Sequence, residues 1–243
     1  MTTEHNIAAE KLAGSVAEKF SAKVVAINDD VVTIKSVADS VNGRPLKKNE
    51  VVYIHPASAQ DSRSERLKAE ILRVTGDRAD AQVFEDTAGV AIGDGVEQTG
   101  ELLSVELGPG LLRQVFDGLQ SPLHRLELMN GRFLLRGAEA PALERNEKWA
   151  FSAKARVNDT VHAGDVLGVV QEGRFSHKIM VPFQLGDTYK VDWIQEGSFH
   201  VDTIIARLLD SKDRNHEITM VQKWPVRAPI PTRLIKSGRC TKQ

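Results

Sequence analysis

Apolar and polar positions alternate over short runs along most of the chain, a period typical of β-strands. Residues 23–37 hold two β-branched runs on either side of Asn28, Asp29 and Asp30, and this pattern predicts a hairpin. Further strand-like runs, each closed by a turn signal, occupy residues 51–55, 67–74, 80–84 and 96–105. Their short, regular spacing predicts a small β-barrel or sandwich over residues 21–100.

A second β-rich domain is predicted over residues 122–222, with Gly and Asp in the turns, as at Gly164 and Asp165. Its strand-like runs are 132–135, 149–155, 166–170, 178–181, 189–194, 201–208 and 217–221. Residues 223–243 carry Pro225, Pro229 and Pro231 and are predicted to form an extended strap. The expected fold class is therefore mainly β: a small N-terminal barrel, a short helix, and a second β-rich domain resembling a barrel-sandwich.

Two stretches have the spacing of helices instead. Near the N-terminus, Ala8, Leu12, Val16 and Phe20 recur every fourth residue, which predicts a helical arm over residues 1–20. Between the two β-rich segments, a helix is predicted over residues 110–119, started by Pro109 and bounded by Gly118 and Pro122. Its apolar face is formed by Leu111, Leu112, Val115, Phe116 and Leu119.

The apolar face of this linker helix is predicted to pack against one of the two β-rich domains through Leu111, Leu112, Val115 and Phe116. Leu112→Asp should then destabilise the fold by several kcal/mol, because it places a charge in an apolar site. If the face is exposed instead, it marks a contact with another subunit.

Composition excludes several function classes. Lys plus Arg is 32 and Asp plus Glu is 33, so the net charge of −1 gives no electrostatic reason to expect nucleic acid or an anionic membrane as a partner. The single cysteine, Cys240, allows no internal disulfide or thiolate cluster. No apolar run approaches the roughly 20 residues that a membrane-spanning helix needs.

Four stretches of the sequence match one family when taken in order. They are LKAEILRVTGDRADAQVFEDTAGVAIGDGVEQTG at 67–100, ELLSVELGPGLLRQVFDGLQSPL at 101–123, HKIMVP at 177–182 and MVQKWPVRAPIP at 220–231. Together they resemble the catalytic A subunit of V-type and archaeal-type ATPases, including bacterial V-type ATP synthases. SVELGPGLL is the most specific of these matches.

The resemblance implies a domain order for this chain. It consists of an N-terminal arm (1–20), a β-barrel (21–100), a linker with a short helix (101–121), a second domain (122–222) and a strap (223–243) leading towards a nucleotide-binding domain. In the family, the second domain is the insertion called the bulge or non-homologous region. Its presence favours an A subunit over a B subunit.

The resemblance also implies a role. In the family, A-subunit barrels alternate with those of B subunits in the crown of a hexamer, and the bulge meets the peripheral stalk. Full-length members couple hydrolysis or synthesis of ATP, bound as Mg-ATP, to proton or sodium transport. The expected location is cytoplasmic, in the soluble V1/A1 sector, with the membrane reached only through the complex.

The chemistry of an ATP site is missing from this sequence. A phosphate loop needs G-x-x-x-x-G-K-[ST], because glycine amides cradle the phosphates and the Lys and hydroxyl hold phosphate and Mg²⁺. No such run occurs, and in the family the nucleotide-binding domain follows the strap. We therefore expect no catalytic, cofactor-binding or metal-binding residue, no bound cofactor, and no ATPase activity from this chain alone.

The remaining polar residues are expected to have structural roles. No two histidines have metal-ligand spacing; they are His5, His55, His124, His162, His177, His200 and His216. Glu106 is predicted to cap the linker helix, and Gly108 and Gly110 to serve backbone geometry. His177 and Lys178 are expected to have a structural role in a turn, and Trp224 is expected to pack against the domain seam. Arg227 and Arg233 fit a subunit contact and a solvated tail equally well.

Two other interpretations remain open. Residues 157–195 resemble a flattened biotinyl or lipoyl carrier domain, although the hairpin candidate at 171–174 has no lysine for the attachment. A self-standing assembly factor that mimics the barrel is the third possibility.

Overall fold

The computed structural model describes residues 20–37, 44–57, 66–132, 135–186 and 188–229. The predicted arm therefore lies outside the described residues apart from Phe20, as do Arg233 and Cys240. The chain divides into two compact units. The first unit runs to Leu103 and also contains Leu126–Glu139, and the second contains Ser104–Arg125 and the chain from Ala140 onward.

The first unit contains a closed six-stranded barrel with the strand order β1-β2-β5-β4-β3-β6. Its strands are β1 (Ala22–Asn28), β2 (Val31–Ser36), β3 (Glu50–His55), β4 (Leu67–Thr75), β5 (Arg78–Val83) and β6 (Gly95–Leu102). Every neighbouring pair is antiparallel, and pairing of β1 with β6 closes the barrel and removes its open edges. The predicted small barrel is confirmed.

Apolar side chains at alternate positions along the strands fill the interior of the barrel. Val24, Val32 and Ile34 are almost completely buried, with exposures of 1%, 0% and 0%. The β1–β2 hairpin turns at Asp29, whose φ of 58° lies in the left-handed region that Asp tolerates better than most residues. The core of small and β-branched side chains agrees with the low aromatic content of the sequence.

Two buried carboxylates fix the loops of the barrel. Glu50 accepts hydrogen bonds from the Gly100 amide at 2.8 Å and the Lys47 amide at 3.3 Å. Asp94 accepts from the amides of Ala91 at 2.8 Å and Ala57 at 3.1 Å. These bonds satisfy loop amides that strand pairing leaves free, which compensates for burying the carboxylates.

The segment Leu126–Glu139 is tied to the barrel through its last residue. The Glu139 carboxylate lies 3.0 Å from Lys68 and 3.1 Å from Arg66 and accepts a 3.2 Å hydrogen bond from the Tyr53 hydroxyl. The Arg66 guanidinium also lies 4.0 Å from the centroid of the Tyr53 ring. Burial, with the Glu139 charge next in importance, raises the pKa of Tyr53 to about 12.

The second unit consists of three sheets. Their strand orders are β11-β10-β8-β13, β15-β14-β12-β9 and β16-β7. The strands are β7 (Ser104–Leu107), β8 (Lys148–Ala153), β9 (Thr160–His162), β10 (Val166–Glu172), β11 (Phe175–Met180), β12 (Thr188–Ile194), β13 (Gly197–His200), β14 (Ala206–Leu209), β15 (Asn215–Ile218) and β16 (Gln222–Pro225). The predicted second β-rich region is therefore confirmed.

The linker helix was predicted in the wrong place. The described helix, α1, spans Leu123–Asn130, and residues 110–119 form turns. The apolar spacing in 110–119 is helical, but its backbone bonds are made to other partners. The Asp117 carboxylate accepts from the amides of Leu119 at 2.9 Å and Ser121 at 2.7 Å, and Phe116 forms an isolated bridge with Pro122.

One strand prediction was wrong in part: residues 201–205 of the predicted strand 201–208 form a turn that enters β14. Residues 133 and 134 of the predicted strand 132–135 lie outside the described residues, and Arg132 and Leu135 on either side belong to no strand. The one helix among the described residues is neither long nor apolar enough to cross a membrane.

Candidate functional site

Three of the four family-like stretches meet in the second unit. Strand β7, from the second stretch, pairs with β16, from the fourth, with Val105 opposite Trp224. The Gln222 side chain donates a 2.7 Å hydrogen bond to the Met180 carbonyl, which belongs to HKIMVP. Residues far apart in sequence are thus joined by strand pairing and a side-chain hydrogen bond.

Gln120 closes the loop that follows β7. Its amide nitrogen donates to the Glu106 carbonyl and its amide oxygen accepts from the Glu106 backbone N–H, both at 2.7 Å. These two bonds resemble those of a paired β-strand. They hold the loop against β7 at a point 14 residues after Glu106. Sequence reasoning missed Gln120, because its partner is backbone and leaves no local pattern.

The Gly-Pro-Gly turn uses its two glycines in different ways. A Cβ on Gly108 would lie 3.0 Å from the Leu143 side chain and 3.1 Å from the Met220 carbonyl, so the residue permits a close backbone approach. Gly110 has a φ of 107°, a conformation that other residues rarely adopt. The prediction that these glycines serve backbone geometry is confirmed.

Glu106 does not cap a helix. Its carboxylate lies 2.6 Å from Arg145, whose guanidinium also lies 3.0 Å from Asp202. The predicted cap was wrong because no helix forms at 110–119; the charge is used instead in this ion pair of the second unit. No pattern in the sequence pointed to Arg145, which lies 39 residues further along the chain than Glu106.

Glu172 is the most deeply buried acid among the described residues of the second unit. It is 1% exposed at the end of β10 and accepts a 3.0 Å hydrogen bond from the Leu112 amide. Its second oxygen lies 3.4 Å from Nδ1 of His177, a long contact that acts through charge. Burial lowers the pKa of His177, and the Glu172 carboxylate partly opposes this effect. His177 thus contacts a buried acid on the neighbouring strand and is not part of a turn.

The loop that Glu172 holds exposes apolar side chains. Leu112 is 59% exposed and Val115 is 72% exposed, while Leu111 and Phe116 are half-buried. The prediction that Leu112 and Val115 pack against a domain was wrong, because their loop is anchored through backbone bonds that leave both side chains outside. The alternative expectation, a fully exposed apolar face, is met only in part, because Leu111 and Phe116 are half-buried.

The other candidate residues have local roles. Trp224 packs edge-on against Phe183 and donates a 3.1 Å hydrogen bond to the Ala228 carbonyl, and all three residues belong to the second unit. Among the described residues, no group of three or more His, Cys, Asp or Glu side chains is arranged to hold a metal ion. The β10–β11 hairpin turns at Gly173 and Arg174 and presents no lysine at its tip, where a carrier domain would need one.

Comparison with known protein families matches both β-rich regions. Residues 37–100 match the ATP synthase alpha/beta family beta-barrel domain, and residues 140–227 match the ATP synthase alpha/beta subunit barrel-sandwich domain. The two matches follow one another along the chain and together span more than half of it. The chain belongs to the ATP synthase alpha/beta family.

Relatives within this family carry V-type names. The chain is 48% identical over 205 residues to V-type ATP synthase alpha chain 1 of Treponema pallidum (strain Nichols), which covers 81% of this chain and 34% of the relative. It is 43% identical over 201 residues to the V-type ATP synthase alpha chain of Protochlamydia amoebophila (strain UWE25), covering 79% of this chain and 33% of the relative. The chain thus spans about a third of the length of these relatives.

A solved structure also matches part of the chain. The assembled ATPase EscN from the enteropathogenic E. coli type III secretion system aligns with 42% of this chain and 21% of its own, at 19% identity and a TM-score of 0.32. The family assignment rests on the family matches and the V-type relatives, which confirm the resemblance inferred from the four stretches.

Proposed function

We propose that this chain is the front part of a V-type ATP synthase A subunit and that it serves assembly. In this role, the barrel joins the barrels of B subunits in a hexamer crown, and the second unit contacts the peripheral stalk. The observation that carries the proposal is the 48% identity over 205 residues to a V-type ATP synthase alpha chain. The exposed loop with Leu112 and Val115 supports it, because an apolar surface of this kind suits a subunit contact.

Catalysis is proposed for the whole assembly and not for this segment. The complete complex would couple ATP hydrolysis or synthesis to proton or sodium transport. The sequence printed here contains no G-x-x-x-x-G-K-[ST] run to hold phosphates, so the segment itself should bind no Mg-ATP. Its mechanical role is to hold the ring together while other domains change conformation.

Co-expression tests the proposal. The chain is co-expressed with the B-type and stalk subunits encoded by the same organism, purified through a tag on the chain, and sized by light scattering. We expect a stable hetero-oligomer and, by calorimetry, no heat of Mg-ATP binding to the isolated chain. Recovery of the chain alone at micromolar concentrations would contradict the assembly role. Saturable Mg-ATP binding would contradict the absence of a nucleotide site.

A further inference from the structure

The β10–β11 hairpin carries one apolar face past the end of the core. Val170 and Glu172 lie opposite His177 and Phe175 in the ladder, so these four side chains lie on one face. Val170 is fully buried in the core of the second unit, whereas Phe175, at the tip, is 64% exposed. A phenylalanine on the core side of a hairpin is therefore left uncovered.

The loop after Gly110 lies beside this tip. The Leu112 amide donates to the Glu172 carboxylate at 3.0 Å, and a Cβ on Gly173 would lie 3.5 Å from the Arg113 guanidinium. The loop at Leu112 and Arg113 therefore lies next to the hairpin tip that carries Phe175. We call the exposed side chains of this loop and tip the hairpin patch; it consists of Leu112, Arg113, Val115, Arg174 and Phe175.

The charge of the hairpin patch is positive. Arg113 and Arg174 are exposed, and within the described ranges neither guanidinium forms a salt bridge. The nearby acid, Glu172, is buried and already engaged by the Leu112 amide and His177. In a chain of net charge −1, two unpaired arginines around three exposed apolar side chains form a local site for an acidic partner.

We propose that the hairpin patch docks a protein segment whose apolar side chains cover Leu112, Val115 and Phe175 and whose carboxylates pair with Arg113 and Arg174. The inference deepens the proposed function, on which it rests for the source of the segment in the assembled complex. A lipid surface fits less well, because stable attachment to anionic lipid takes clusters of about four to eight basic residues.

Charge reversal tests the proposal on the full chain. The probes are a peptide with a Leu-Phe-Leu centre flanked by glutamates and its lysine-flanked counterpart, titrated while backbone amide NMR signals are followed. We expect shifts at 112–115 and 173–175 with the acidic peptide, which should bind about fivefold more tightly than the basic one. The double variant Arg113→Glu/Arg174→Glu should reverse this preference, and both substitutions are on the surface.

The chain provides a matched control. Arg156 and Val157 are an exposed arginine and an exposed apolar residue of the same unit, and Arg156→Glu/Val157→Asp should leave the peptide preference unchanged. Equal affinity for both peptides, shifts scattered away from the hairpin patch, or binding only to phosphatidylglycerol vesicles would overturn the proposal.

The co-expression experiment separates this inference from the proposed function. If the complex assembles equally well with wild-type chain and the charge-reversed variant, and the peptides show no preference, the docking surface is wrong and the assembly role stands. If no complex forms but the peptide preference reverses as described, the assembly role fails and the docking surface stands.

Discussion

At the scale of single residues, buried acids determine how the loops of this protein lie. Glu50 and Asp94 hold loop amides in the first unit, and Glu172 holds the Leu112 amide in the second. A carboxylate that accepts backbone hydrogen bonds offsets part of its own desolvation and fixes the loop. Glu172 thereby holds the loop that exposes Leu112 and Val115.

His177 makes the stability of the second unit depend on pH. Burial lowers its pKa below the ordinary value of about 6.5, so between the two pKa values the unfolded chain binds more protons than the folded one. Stability is fully present above the unfolded pKa and falls as pH drops below about 6.5. Urea unfolding from about pH 7.5 to about pH 5.5 should show this slope, and His177→Gln should flatten it.

His124 provides the control for this experiment. It is exposed, so His124→Gln should retain the wild-type slope. An identical slope in wild type and His177→Gln would show that the titration of His177 does not contribute.

At the scale of elements, short polar ties hold segments that strand pairing does not reach. The Glu139 carboxylate joins the segment Leu126–Glu139 to β3 and β4 through Tyr53 and Lys68. The pair formed by Gln120 with the Glu106 backbone does the same for the loop after β7. These contacts determine the backbone course of two segments whose sequence pattern alone does not predict their structure.

Tyr53→Phe should lower the free energy of unfolding by about 1–2 kcal/mol. It removes a hydrogen bond to a charged acceptor, so the Glu139 carboxylate has one donor fewer. In the otherwise wild-type chain, Glu139→Gln should lower the pKa of Tyr53 from about 12, since the nearby negative charge is gone. Ultraviolet difference titration measures the pKa, with Tyr53→Phe identifying the signal. An unchanged pKa in Glu139→Gln would assign the shift to burial alone.

Leu112→Asp should change the stability by no more than about 0.5 kcal/mol, because Leu112 is 59% exposed. Leu208→Asp is the matched control: Leu208 is fully buried in the same unit, and a charge there should cost several kcal/mol. Chemical denaturation of both variants checks the contrast. If Leu112→Asp lowers the free energy of unfolding by several kcal/mol, Leu112 is buried, as the sequence pattern predicted.

At the scale of the whole molecule, positive and negative charges are nearly balanced. The chain has a net charge of −1, while the hairpin patch concentrates apolar and cationic side chains. A surface of this kind suits a protein contact.

Solubility of the isolated chain should be lowest near pH 6.7, its calculated isoelectric point, because self-repulsion vanishes there. Light scattering across pH at low salt measures this. The charge-reversed variant Arg113→Glu/Arg174→Glu should move the minimum to lower pH. A minimum unrelated to net charge would instead point to association through the apolar side chains.

The sequence by itself determined the β class, the barrel, the second β-rich region and the family. Alternation of apolar residues is a local signal that survives without tertiary contacts, and ordered motifs such as SVELGPGLL identify relatives directly. It also predicted that Gly108 and Gly110 serve the backbone, since a Gly-Pro-Gly run has few other uses.

Only the tertiary structure decided how the region between the two β-rich segments is used. The helical spacing at 110–119 could not reveal that the Leu112 amide donates to Glu172, which lies 60 residues away in sequence. Nor could it reveal that the Gln120 side chain bonds to the backbone of Glu106 in β7. Such long-range hydrogen bonds compete with the local helix and win, because they satisfy buried polar groups. They leave Leu112 and Val115 of this loop exposed, and we propose that a partner binds there.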